Sequence, residues 1–411
     1  MNVLLRTLRI QSGEGRTVGL VVCLMFLAFA GLTVGESGIT ALFFDRIGTD
    51  ALPLMYLGQG AVGLAGMLAL TGVLGRFDRR RAYVTLPVLL AGTILVERVI
   101  GAADPAWIYP VMWLTVSLAS LGQAIGLWGT AGLVTDTRRA KRLFPLFGAG
   151  CILGAVAGGL GTGPLASAIG TQNLLVVWSL ALLGSSALCA TILGLHRGVR
   201  RPRVHSQRAS PVTELRRGFA FVRRSPLLRW MAAASVLFSL LFYSLYLPFA
   251  QAASAHYPDP EELAGFLGIY WAAVTAIAFV VSVLLANRLL GWFGAAATLM
   301  VLPVLYAGSF GVLVVTSTFG TLVATRLGVN VWLQGVTSPA WETLVNVAPE
   351  DRRDQTRAFL NGGPAQAGTA IAGVVQLVGQ EALTARQLSV IGLVAAVITV
   401  VVGWRIRRSY A

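Results

Sequence analysis

Apolar positions run through this chain in long blocks, and polar positions collect almost wholly between them. A helix of about 20 mainly apolar residues crosses a hydrocarbon layer of roughly 30 Å. Blocks of that kind are read at 17–44, 53–75, 82–101, 106–134, 144–169, 172–195, 229–250, 264–288, 294–315, 317–344, 358–380 and 387–404. The pattern therefore predicts an all-α, polytopic membrane protein with twelve transmembrane helices. The first block is too long for a removable signal peptide and lacks its A-x-A cleavage region.

Composition agrees. The chain has 411 residues, 56% hydrophobic and 12% charged, whereas soluble domains carry roughly 25% charged residues. A net charge of +15 brings nucleic acid to mind, but its placement points elsewhere. Of the 32 basic residues, 28 lie near the N-terminus, in every second connection and after the last block. The opposite connections hold only Arg46, Arg98 and Arg386, and Arg326 sits inside a block. Excess Lys and Arg mark cytoplasmic loops, so both termini are expected in the cytoplasm, facing anionic lipid. No nucleic-acid motif accompanies the charge, and nucleic acid is excluded as a partner.

Enzyme chemistry finds little support. Cys23, Cys151 and Cys189 lie in apolar blocks without disulfide or metal spacing. His196, His205 and His256 sit in connections and share no helical face. Neither a phosphate-cradling P-loop nor HExxH nor GxSxG occurs. No cofactor and no metal is implied, and any concentrating work must come from a solute or ion gradient.

The chain also repeats itself. Residues 73–92, VLGRFDRRRAYVTLPVLLAG, align without a gap on 289–308, LLGWFGAAATLMVLPVLYAG. Arg142, Phe144, Gly148, Ala155, Ala157 and Gly158 align on Arg357, Phe359, Gly363, Ala370, Ala372 and Gly373 at nearly the same offset. A duplication in one orientation predicts two pseudo-symmetric six-helix halves, 1–195 and 229–411. Between them, 196–228 reads as a basic cytoplasmic linker. Val212, Leu215, Phe219 and Val222 recur there at helical spacing, which predicts an interfacial helix. Gly150, Gly154 and Gly158 are spaced for close helix packing in lipid.

Ionisable groups inside a span are costly and mark function by default. Glu36 in the first span and Arg326 in the tenth are the acid and base deepest in the membrane, expected to face one cavity. Asn330 and Gln334 follow Arg326 at four-residue steps, giving a polar stripe. Gln123 and Trp128 in the fourth span and Gln59 in the second complete the candidate solute pathway. Glu97 and Arg98 read as a rim ion pair. Asp78, Arg79, Asp136, Arg142, Arg353 and Arg357 read as an inner gate of salt bridges, or equally as charge that only sets topology.

GRFDRRR after the second span is similar to the loop motif of the major facilitator superfamily, with Gly75, Asp78 and Arg79 matching and the later Gly missing. SGEGRTVGLVVCLMF at 12–26, ALFFDRIGTDALPLMYL at 41–57, AKRLFPLFGAGCILGAVAGGL at 140–160, RRGFAFVRRSPLLRW at 216–230 and SPAWETLVNVAPEDRRDQTRAFLNGG at 338–363 resemble the ADP/ATP translocase-type nucleotide transporters of bacteria and plastids. The resemblance implies a twelve-helix facilitator fold, nucleotide exchange by alternating access and a bacterial inner (plasma) membrane. One departure stands out: the chain has a single Lys, Lys141, and one deep cation, Arg326. A small polar or anionic organic solute is the expected cargo, with a proton or counter-solute for coupling. The other readings are a proton-coupled exporter of drugs or cations, in which Glu36 binds the cation, and a non-transporting membrane anchor or signalling module.

Overall fold

The computed structural model describes residues 14–76, 78–135, 137–195 and 211–410, and among them every regular element is helical. In chain order the α-helices are α1 (Gly15–Arg46), α2 (Leu52–Arg76), α3 (Arg79–Gly101), α4 (Ile108–Val134), α5 (Thr137–Ile169), α6 (Leu174–Leu195), α7 (Pro211–Arg224) and α8 (Pro226–His256). Then come α9 (Pro260–Val281), α10 (Asn287–Leu299), α11 (Val301–Val315), α12 (Phe319–Trp332), α13 (Ser338–Val345), α14 (Glu350–Ala382) and α15 (Ala385–Tyr410). A membrane interior offers no water to backbone groups, so helices that close their own hydrogen bonds are the form an open chain of such blocks must take.

Nine helical stretches among the described residues are long and apolar enough to span a membrane, against the twelve expected. The other three predicted spans also fall on helix. α11 has only 15 residues, α12 and α13 are separated by a π-helical turn at Leu333–Thr337, and α14 opens on the charged run EDRRDQTR. A second π-helical turn, Ser282–Ala286, joins α9 to α10. The gap expected between spans eight and nine, 289–293, is helical, and the helical line breaks just after it at Gly294, whose φ is +76°. Only glycine takes that conformation without a steric penalty.

Contacts group the chain into two compact units: Met1–Arg46, Val73–Arg208 and Asp259–Ala273 in the first, Ile47–Gly72, Ala209–Pro258 and Val274–Ala411 in the second. A cut through the chain at the linker would assign α2 and the start of α9 the other way.

In the first unit, α5 lies along α1. A Cβ on Gly150 would stand 2.9 Å from the Val22 carbonyl oxygen, and Cβ atoms on Gly154 and Gly158 would strike the Phe26 and Ala30 carbonyls. Both helices advance by four residues per contact, so they run parallel, with backbones closer than any side chain permits. The opposite face of α5 meets α9, where a Cβ on Gly159 would strike the Gly268 carbonyl and one on Gly163 would lie 3.4 Å from Gly265 Cα. Val21, Leu24, Met25, Phe147 and Ile192 fill the core beside the α1–α5 contact.

In the second unit α14 has the corresponding habit. Gly368 abuts the Val236 carbonyl of α8, while Gly373 would place a Cβ 2.6 Å from the Pro53 carbonyl of α2. The amphipathic helix expected in the linker is α7. Of its predicted apolar face, the side chains described are Phe219, 5.8 Å from the Phe359 ring, and Val222, which is buried. Residues 196–210 lie outside the described residues.

Candidate functional site

α12 carries Arg326 into the core of the second unit, where the residue is 3% exposed. α8 runs antiparallel to it and lays aromatic side chains along the shared seam. The guanidinium carbon sits 4.0 Å from the Tyr246 ring centre, 4.2 Å from Phe249 and 5.9 Å from Phe242. Aromatic faces within about 6 Å attract a cation, and desolvation raises the gain to about 2 kcal/mol. Two turns along both helices, His256 stacks on Phe319 with ring centres 4.3 Å apart, which continues the same register. Pro248 lies within α8 between Tyr246 and Phe249. Having no N–H, it leaves the helix one backbone bond short beside the cage.

α2 closes the cluster. Gln59 Nε2 donates to the Tyr243 hydroxyl at 3.0 Å, and the Tyr56 ring lies 4.6 Å from Tyr243 and 6.2 Å from Tyr246. Tyr56 is fully buried, and its hydroxyl has no hydrogen-bond partner among the described residues. A buried hydroxyl left unbonded costs about 1–3 kcal/mol. The cluster thus joins one cation, several flat apolar faces and hydroxyl and amide groups able to bond a polar solute.

Arg326 and Asn330 are buried, whereas Gln334 is exposed. A π-helical turn at Leu333–Thr337 follows Asn330 on the tenth span and departs from α-helical winding there. Gly335 in that turn lets α12 approach α9, since a Cβ there would lie 2.7 Å from the Ala278 carbonyl.

The first unit holds the other residues expected to line a solute pathway. Glu36 is half-buried on α1. Gln123 is buried on α4 and donates from Nε2 to the Ala28 carbonyl at 2.7 Å, tying α4 to α1. Trp128 stays partly exposed and packs its ring 5.6 Å from Phe144 of α5. Glu97 and Arg98 do not pair. Thr115 donates to buried Glu97 at 2.5 Å, while Arg98 bonds Asn173 Oδ1 at 2.8 and 3.1 Å. Successive residues on a helix point about 100° apart, so the two side chains meet different neighbours.

Among the expected gate residues, Arg142 and Arg357 find acids that the spacing did not mark. Arg142 bonds Glu14 at 2.6 Å, with Arg139 3.5 Å from the same carboxylate. Arg357 meets Glu342 at 2.8 and 2.9 Å. These partners come from other helices or the approach to them, which a local pattern does not reveal. Asp78 caps α3, accepting from the Arg80 N–H at 3.2 Å, and Arg79 is exposed. Asp136 and the Arg353 side chain lie outside the described residues.

The cage aromatics of α8 escaped the search for ionisable groups. Their signal is nonetheless in the sequence: Phe242, Tyr246 and Phe249 fall at four- and three-residue steps, one face of a helix.

Comparison with known proteins follows the same lines. The sequence profile described as the TLC ATP/ADP transporter matches residues 96–343. ADP,ATP carrier protein 1 of Chlamydia trachomatis is 20% identical over 263 residues, 58% of this chain and 49% of that protein. The chloroplastic ADP,ATP carrier protein 2 of Arabidopsis thaliana is 24% identical over 249 residues, 56% of this chain and 39% of its own length. The chain thus spans half or less of the length of these curated relatives. Among solved structures, the nucleoside transporter NupG superposes with a TM-score of 0.65 at 15% identity, covering 95% of this chain and all of its own. A bacterial homologue of the iron transporter ferroportin gives 0.68 at 14%, covering 96% and 99%. The POT family transporter PepTSo gives 0.68 at 11%, covering 96% and 98%. At these identities the likeness shows the fold alone, one shared by these membrane transporters.

Proposed function

The chain belongs to the TLC ATP/ADP transporter family, and from that premise we propose that it moves a small, nucleotide-like anionic solute across a bacterial inner membrane by alternating access. Twelve spans in two six-helix halves, 1–195 and 229–411, with both termini in the cytoplasm, complete this reading. The observation that carries it is the Arg326 cage. A guanidinium held at the core of a membrane protein is costly and by default marks a functional site, and here it has flat aromatic faces around it. The anionic group of the solute would take charge-assisted hydrogen bonds from Arg326. Its planar part would lie against Tyr246 and Phe249, and Tyr56 and Gln59 would bond its polar edge. Glu36, an acid within a span, would carry the coupling proton.

Uptake by proteoliposomes tests this reading. Labelled nucleoside mono-, di- and triphosphates are offered with and without a proton gradient, beside an efflux assay with a cationic dye. Uptake of at least one nucleotide that is lost in Arg326→Gln supports the proposal. Dye efflux that needs Glu36 and ignores Arg326 would replace it with the exporter reading, and absence of all flux would leave an anchoring role.

A further inference from the structure

We propose that the end of the second unit where α8 begins and α15 finishes is a headgroup site for an anionic phospholipid. It is built from Arg405 and Arg408 of α15 with Trp230 and Trp404. The Arg408 guanidinium carbon lies 3.6 Å from the Trp404 ring centre, and that of Arg405 lies 5.8 Å from Trp230 and 5.7 Å from Trp404. Both arginines are exposed, while Ile406 between them is fully buried in a core shared with Leu228 and Met231 of α8. α15 therefore keeps one face in the protein and holds two guanidinium groups, three residues apart, on the other.

The charge is not balanced by these helices: neither α8 nor α15 contains an Asp or Glu. Further exposed cations stand close in the chain. Arg223 and Arg224 end α7, which Ser225 alone joins to α8, and Arg229 lies in the first turn of α8. The ligand must therefore be an anion.

The surface below the arginines makes that anion a lipid. Val394, Val397, Ile398, Val401 and Trp404 are all exposed along α15, on a helix apolar enough to span a membrane. The strip leads straight up to Arg405 and Arg408. Acyl chains fit the aliphatic strip, the Trp rings fit the interfacial layer that Trp favours, and the phosphate meets the guanidinium pair. A soluble phosphate would match the cations and leave the strip unused.

The test needs no transport assay and stands apart from the function proposed above. The delipidated full chain in detergent is mixed with phosphatidylglycerol and phosphatidylcholine of identical acyl chains, and retained lipid is read by native mass spectrometry. The expected result is preferential retention of phosphatidylglycerol, weakened about tenfold or more in Arg405→Gln/Arg408→Gln. Arg386→Gln, at the other end of α15, should leave it unchanged. Equal retention of the two lipids, or unaltered preference in the double variant, overturns the proposal. Displacement of phosphatidylglycerol by an equal concentration of inorganic phosphate overturns it too, in favour of a soluble anion. Should the double variant fail to fold, a salt series on the unaltered protein decides. Preference that fades by about 1 M salt upholds an exposed charge site, and flat preference refutes it.

Discussion

Glu14 and Arg142 stand in the same register as Val22 and Gly150, Phe26 and Gly154, and Ala30 and Gly158: one constant offset relates every pair along the α1–α5 contact. The ion pair thus closes one end of a seam whose other contacts are backbone against backbone. Packing sets the distance between the helices, and that distance lets a carboxylate and a guanidinium meet at 2.6 Å.

The pair should show strong coupling. Their side chains are 10% and 22% exposed, well short of a free surface pair. A double-mutant cycle with Glu14→Gln and Arg142→Gln should give a coupling of about 0.5–3 kcal/mol, read from thermal midpoints in detergent. Additive effects would show that the two groups do not help to hold the seam.

Gly154→Ala should destabilise the first unit by about 1–3 kcal/mol, because the added methyl meets the Phe26 backbone and the helices must part. Gly148→Ala is the control, since a Cβ there meets nothing within 4 Å. Replacing a helical glycine in open space should be neutral or slightly stabilising. Thermal unfolding of both variants checks the contrast.

In the second unit, Tyr246→Phe should keep most solute affinity, because the ring face over Arg326 remains. Tyr246→Leu should weaken it by about 0.5–2 kcal/mol, roughly two- to thirtyfold in apparent Kd. Arg326→Lys should lose more than Tyr246→Leu, since an ammonium lacks the planar fork that suits an anion and stacks on rings. Solute-induced thermal shifts rank the three.

Asn330→Ala and Gln334→Ala should behave differently. Asn330 is buried like Arg326, and Gln334 is exposed. Uptake should fall in the first and hold in the second. Equal losses would restore the continuous stripe expected from four-residue spacing.

The all-helical membrane fold, the blocks that form its helices and the glycine ladder on α5 were legible in the chain, because each follows from local pattern. Twenty apolar residues in lipid have few alternatives to a helix, and glycines four apart necessarily share a face. Arg326 was legible too, as a charge where charge is expensive. Its surroundings were not. That α8 would lay Tyr246 and Phe249 beside it, that α2 would bring Tyr56 and Gln59, and that Glu14 and Glu342 would take the arginines assigned to a gate all depend on contacts between separate elements of the fold. The π-helical turn at Leu333–Thr337 shows the same limit within one helix. A four-residue rule assumes an unbroken α-helix, and close approach of α12 to α9 through Gly335 goes with a different winding. Periodicity determines which face of a segment is apolar; only packing decides which partner that face meets.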